Sequence, residues 1–302
     1  MPNISTVKAV VNGQTYDLTL NSSTGKYEAV ITAPSKSSYP NDGHYYDVAL
    51  TANDNAGNTV TIDSTHETFG SALQLVVKEK VAPVISIASP SNGSTITSSV
   101  PAITVNVTDN DSGVDVDTFT LKVGSTTVTA ADCTVADITN GKRFTYTPKT
   151  ALADGECVIT ANVSDNDGNA AVAVSSTITI DTTPPVLDIS APADNIWQNT
   201  NKVTVVGVTN DATSSPVTVA ITVNGTDAGA VTVDSNGNFT KEVTLSEGEN
   251  AIVITATDAA GKASTVTRTV NVNTTLPEFK SVTIVPNPVD AGKTYTITVE
   301  VE

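Results

Sequence analysis

The stretch "CVITANVSDNDGN" (157–169) reads as a strand running into a tight turn. Ile159, Ala161 and Val163 lie on one side of an extended chain, and Val158, Thr160 and Asn162 on the other. A period of two marks a half-buried β-strand. Asp165 then precedes Gly168 and the polar Asn169. A carboxylate at this point accepts turn amides, and glycine accommodates a positive φ. The next residues, "AAVAVSSTITID" (170–181), provide the returning strand. The same shape recurs in "DVALTANDNAGN" (47–58) and "AIVITATDAAGK" (251–262). Three hairpins of one design indicate an internal repeat. The parity predicts that Ile159, Ala161 and Val163 are buried, together with Val48, Leu50 and Ala52 and with Ile252, Ile254 and Ala256.

A second shared element lies upstream of each hairpin. "TVKAVVNGQTYDL" (6–18), "TFTLKVGSTTVTA" (118–130) and "VTVAITVNGTDAG" (217–229) carry apolar residues at alternate positions before a glycine turn. Val7, Ala9 and Val11 align with Phe119, Leu121 and Val123, and with Val219, Ile221 and Val223. The joints are "VKEKVAP" (77–83) and "DTTPP" (181–185), where proline removes a ladder donor and stiffens the chain.

Composition agrees with an all-β chain. Its 302 residues suit two or three domains. The chain is rich in Val, Ile and Thr and poor in Leu, Met and Arg, no helical periodicity is sustained, and aromatics make up only 4%. A net charge of −17 and a pI near 4.3 argue against nucleic acid and anionic membrane surfaces as partners. No apolar run is long enough for a membrane span. The first residues lack a charged n-region and an apolar h-region, so no secretory signal is read there. The expectation is release by another route, such as lysis, or a mature or cloned segment.

These residues carry a resemblance. The D-x-x-G-N/K hairpins, the "DTTPP" joint and the "VNG" turns resemble a tandem array of bacterial immunoglobulin-like modules, found in surface and bacteriophage proteins. Within 231–262, Gly237, Phe239, Leu245, Gly248 and Asn250 make the third module similar to the glucodextranase-type Ig-like domain. The resemblance implies tandem Ig-like β-sandwiches in an elongated rod. It says little about function, because such modules serve as spacers, adhesins and carbohydrate binders.

Module lengths expose an irregularity. Residues 81–117 precede the VNG-type strand of the second module and hold two strands, "VISIASP" and "AITVNVTD". Residues 183–216 do the same for the third, with "VLDISAP" and "KVTVVGVTND". Only residues 1–5 precede that strand in the first module, while 275–302 read as the same pair of strands, "EFKSVTIVP" and "KTYTITVEVE". The expected organisation is therefore 1–80, an Ig-like module lacking its first two strands; 81–182 and 183–274, complete modules; and 275–302, a strand pair that completes a module. Three completions remain open: a neighbouring subunit's tail, a longer array of which this is a slice, or the tail folding back. The first predicts that Tyr295, Ile297, Val299 and Val301 of one copy meet Val7, Ala9 and Val11 of the next.

Chemistry is sparse. His44 and His66 have no cysteine or carboxylate cluster at ligand spacing, and no nucleophile elbow, phosphate loop or zinc spacing occurs, so catalysis is not expected. Calcium is the one cofactor candidate. "DNDSGVDVD" places Asp109, Asp111, Asp115 and Asp117 at spacings suited to a hard cation, and "DNDGN" adds Asp165 and Asp167. Gly113 at the fifth position and the missing bidentate Glu at the twelfth favour turn capping instead. Cys133 and Cys157 are read as free thiols, and Trp197 as packing at a module joint, with sugar stacking the alternative.

Two functions are compatible with these features. One is a non-enzymatic building block of a phage tail-associated or extracellular fibre, assembled head-to-tail from copies of itself, in a virion or outside the cell. The other is an adhesin or surface-glycan-binding spacer using loops such as 63–72, with other virion or cell-surface proteins as partners.

Overall fold

The structure, a computed structural model, describes residues 3–302. It divides into two compact units, residues 1–180 and 181–302. The first unit opens with a single six-stranded sheet. It comprises β1 (Ile4–Val11), β2 (Gln14–Asn21), β3 (Lys26–Glu28), β4 (Tyr46–Asp54), β5 (Thr59–Ile62) and β6 (Gln74–Leu75). The order is β3-β2-β1-β4-β5, with β6 paired to β4.

A complete sandwich follows in the same unit. Its strands are β7 (Val84–Ser89), β8 (Thr95–Ile96), β9 (Ile103–Thr108), β10 (Val114–Val123), β11 (Thr126–Thr129), β12 (Thr134–Ile138), β13 (Gly141–Tyr146), β14 (Gly155–Asp165) and β15 (Val174–Ile180). One sheet runs β11-β10-β14-β15-β8 and the other β12-β13-β9-β7. The second unit repeats the plan with β16 (Val186–Ala191), β17 (Ile196–Gln198), β18 (Lys202–Asn210), β19 (Thr218–Val223), β20 (Thr226–Asp227), β21 (Asn238–Thr244), β22 (Gly248–Thr257) and β23 (Ala263–Val272). Its sheets are β16-β18-β21 and β17-β23-β22-β19-β20. A separate two-stranded hairpin of β24 (Phe279–Val285) and β25 (Thr296–Val301) ends the unit.

The aligned positions pair identically in all three modules. Ala9 faces Leu50 and Val11 faces Val48; Leu121 faces Ala161 and Val123 faces Ile159; Ile221 faces Ile254 and Val223 faces Ile252. The parity holds in the second and third modules, where Ile159, Ala161, Val163, Ile252, Ile254 and Ala256 are buried. Val158 on the opposite face is exposed. Val48, Leu50 and Ala52 differ: they are only half-buried, because no second sheet covers them among the described residues.

Turn chemistry places these strands. Asn12 and Gly13 both have positive φ between β1 and β2, as do Asn224 and Gly225 between β19 and β20. Positive φ at both central residues is the two-residue hairpin turn whose twist matches the flanking strands. The second module's core is fastened by Phe119 and Phe144, fully buried, with parallel rings 3.8 Å apart. Phe239 occupies the place of Phe144 in the third. It packs over Gly207, where an added Cβ would lie 2.6 Å from its ring.

The first sheet and the second module fall in one unit, where the sequence suggests separate modules. Polar contacts join them: Ser37 N–H donates to Asp111 Oδ1 (3.0 Å), Glu79 N–H to Asp167 Oδ2 (2.9 Å) and Lys78 Nζ to the Asp167 carbonyl (3.2 Å).

Cys133 and Cys157 are free thiols. Burial, assisted by the Asp132 charge, pushes the Cys133 thiol up to about 11, and burial also raises Cys157. The reactive thiolate is therefore scarce near neutrality. Both cysteines should alkylate slowly with iodoacetamide at about pH 8 in the folded chain and rapidly in urea, read by mass spectrometry. Phe119→Ala should destabilise the second module by about 3–5 kcal/mol. In urea melts, the transition of residues 1–180 should shift while that of 181–302 stays in place.

Candidate carboxylate centres

Three acidic side chains converge at one end of the second sandwich. Asp109 follows β9, Asp165 ends β14, and Glu79 comes from the segment leaving the first sheet; their carboxylate oxygens lie within 4.8 Å of one another. Each is also a turn cap. Asp109 Oδ1 accepts the amides of Asp111 (3.0 Å) and Gly113 (2.7 Å). Asp165 Oδ1 accepts those of Asp167 (2.9 Å) and Asn169 (2.8 Å), and its Oδ2 accepts Asn169 Nδ2 (2.7 Å). Glu79 Oε1 accepts the Ser112 amide (2.7 Å).

The second unit carries a counterpart built from Asp181, Asp211 and Asp258, again within 4.8 Å. Asp211 follows β18 as Asp109 follows β9, and Asp258 follows β22 as Asp165 ends β14. Asp211 Oδ1 accepts the amides of Thr213 (2.8 Å) and Ser214 (2.6 Å), and Asp258 Oδ1 that of Lys262 (2.9 Å). The Ser214 hydroxyl donates to Asp181 Oδ2. Here the residue matching Asn169 is Lys262, whose side chain has no amide to donate; Asp258 Oδ2 is buried with no hydrogen-bond partner. Unit charges at such separations repel by roughly 3–4 kcal/mol per pair at an effective dielectric near 20.

The first sheet has the same turn without the group. Asp54 Oδ1 accepts the amides of Ala56 (2.8 Å) and Asn58 (2.9 Å), and the Asn58 side chain holds its carboxyl below the usual range. Asn238 lowers Asp234 in the same way. These hydrogen bonds favour the charged carboxylate.

The calcium candidates from the sequence are distributed differently from the expectation. Asp109 enters a carboxylate group, but with Glu79 and Asp165 rather than with Asp111 and Asp115. Asp111 is turned to Ser37, and Asp115 caps the Asp117 amide at 3.1 Å, beside the irregular register of β10. Asp167 caps Glu79. The motif reads as a local loop in sequence, whereas the groups assemble across strand ends. The signal for the second centre is the acid after β18 together with the Asp of the third hairpin.

The other singled-out residues stand apart from these groups. His44 stacks on Tyr39, and His66 Nδ1 accepts the amides of Thr68 and Phe69 in the 63–72 loop. Trp197 on β17 is largely exposed rather than packed. Tyr295, Ile297, Val299 and Val301 are exposed on the terminal hairpin, while Ala9 and Val11 are buried and Val7 is half-buried in the first sheet. No helix among the described residues is long and apolar enough to cross a membrane.

Residues 185–274 match the family described as glucodextranase, domain B. No curated protein sequence matches the chain. Among solved structures, the chain is similar to the fibronectin(III)-like modules of Clostridium thermocellum CbhA (18% identity, 63% of this chain and 94% of that one, TM-score 0.35). It is also similar to a bacterial ice-binding adhesin (20%, 90% and 88%, TM-score 0.36). A third is the three N-terminal domains of the bacteriophage RB49 highly immunogenic outer capsid protein (11%, 91% and 89%, TM-score 0.38). The fold is therefore all-β, with Ig-like two-sheet sandwiches repeated along the chain, and the domain B match is confined to the third module.

Proposed function

We propose that the chain is a non-enzymatic structural protein of a virion or extracellular fibre, joined head-to-tail by strand complementation. The observation that supports this reading is a pair of complementary apolar faces, neither of which has a second sheet against it among the described residues. In the hairpin, Ile284 pairs with Ile297, Val282 with Val299 and Phe279 with Val301, so six apolar side chains share one face. All six are exposed, Ile297 by 54%, whereas Ile103, Val105 and Val107 on the matching strand β9 are fully buried. A lone two-stranded hairpin is marginal in water.

The first sheet offers the other half. Ala9, Leu50 and Ile62 lie in line on one face; Ala9 is buried, but Leu50 and Ile62 are only half-buried, and no second sheet lies over them among the described residues. Residues 25–31, "GKYEAVI", repeat the pattern of 237–243, "GNFTKEV". In the third module that sequence forms β21, which pairs with β18. Here β3 stops at Glu28 and Val30 is fully exposed. Among the described residues the first sheet has no counterpart of the β16–β18 pair, and β24–β25 resembles that pair in its antiparallel pairing. Completing the burial of these six side chains would contribute roughly 5–10 kcal/mol before the costs of association. A contact of this kind that does not close generates a filament.

The purified chain should form filaments in negative-stain images and sediment as a concentration-dependent series. Ile297→Asp with Val299→Asp would bury unpaired carboxylates and should leave discrete particles. The second and third modules should keep their melting transitions. A parent chain that stays monomeric at high concentration rules out subunit exchange. Protection of the first sheet from hydrogen exchange in that monomer would then point to the tail folding back.

A further inference from the structure

We infer that Asp181, Asp211 and Asp258 form a calcium site, distinct from the Asp109, Asp111 and Asp115 set that the sequence suggests. Position, burial and one unpartnered carboxylate oxygen carry the inference together. The carboxylate oxygens of the three lie within 4.8 Å of one another. Asp181 is fully buried and Asp258 is only 6% exposed. Among the described residues, no ion pair engages any of the three. Asp258 Oδ2 has no hydrogen-bond donor at all.

An unpartnered, buried carboxylate oxygen amid two further carboxylates is unfavourable unless a cation is present. The related centre shows what a self-sufficient arrangement looks like. There the matching oxygen, Asp165 Oδ2, is satisfied by Asn169 Nδ2 at 2.7 Å. The second unit has Lys262 at that place, and its backbone amide serves only Oδ1. One oxygen is thereby left for a ligand.

The donor set identifies the class of ion. Three carboxylates and the nearby Ser214 hydroxyl are hard oxygen donors, and neither histidine nor cysteine belongs to the group. Such a set disfavours zinc and copper. Calcium takes about six to eight oxygens in flexible geometry, so carboxylates already holding turn amides can share their remaining lone pairs with it. Magnesium demands a regular octahedron and sheds water reluctantly. A dication reduces the local charge from three negative to one, and the bound ion ties β18 and β22 to Asp181 ahead of β16.

The test uses the full chain stripped with chelator, titrated separately with calcium and magnesium by calorimetry and followed by scanning calorimetry. Calcium should bind at one site per chain and raise the transition of residues 181–302 by about 5–10 °C at saturating concentration. Asp258→Asn should weaken calcium binding at least about tenfold. In chelator this variant should be at least as stable as the parent, because the introduced side-chain carbonyl still accepts the Lys262 amide and one repelling charge is gone. A purely structural carboxylate would instead make the variant less stable in chelator. Asp211→Asn supplies the same reading should the first variant fail to fold, and Asp165→Asn should leave this binding unchanged. Absence of a calcium heat and of a melting shift up to about 5 mM overturns the assignment. So does equal binding of magnesium, or binding that survives both Asp258→Asn and Asp211→Asn.

Discussion

An antiparallel sheet whose alternate side chains are apolar has one face that water penalises, and that face must be covered by another layer. In the second and third modules the cover is a second sheet of the same module. Phe119 lies on Phe144 across the sandwich, and Phe239 fills the matching position over Gly207. The first sheet has the same strand pairing, with Ala9 opposite Leu50 as Leu121 is opposite Ala161, yet the β4 residues on its inner face remain half-buried. The terminal hairpin is the converse, a pair of strands with an apolar face and no sheet beneath it. The proposed assembly follows from this one requirement applied to two incomplete layers.

The aspartates do a second job at the strand ends. Every D-x-x-G hairpin uses its Asp to hold turn amides, and this reading alone accounts for Asp54 and Asp234. In the two complete sandwiches, the acid after the second strand and an acid from the preceding segment stand beside that Asp. A repeated turn device thus becomes a repeated carboxylate group. The two groups differ at one side chain. Asn169 satisfies its aspartate from within the turn, whereas Lys262 leaves Asp258 with an open oxygen. That open oxygen is what distinguishes the proposed cation site from a group of turn caps.

Much of the fold is legible in the chain because β-structure writes itself locally. Alternation in 157–163 and 252–256 assigns the buried faces, the Asn-Gly pairs at 12–13 and 224–225 mark the hairpin turns, and the repeat alignment predicts the pairing register. Each of these depends on residues a few positions apart.

What stays hidden in the chain depends on residues far apart. The calcium reading groups Asp109 with Asp111 and Asp115 because they are neighbours in sequence. Backbone direction instead sends Asp111 to Ser37 and brings Asp109 to Glu79 and Asp165. Trp197 reads as a packing residue, but the short strand β17 leaves it facing solvent. Strands, inward faces and turn caps follow from the order of residues alone, because period and turn geometry are local properties. Which carboxylates meet and which apolar faces stay open follows only from the assembled fold, because both are set by how strand ends from separate hairpins converge.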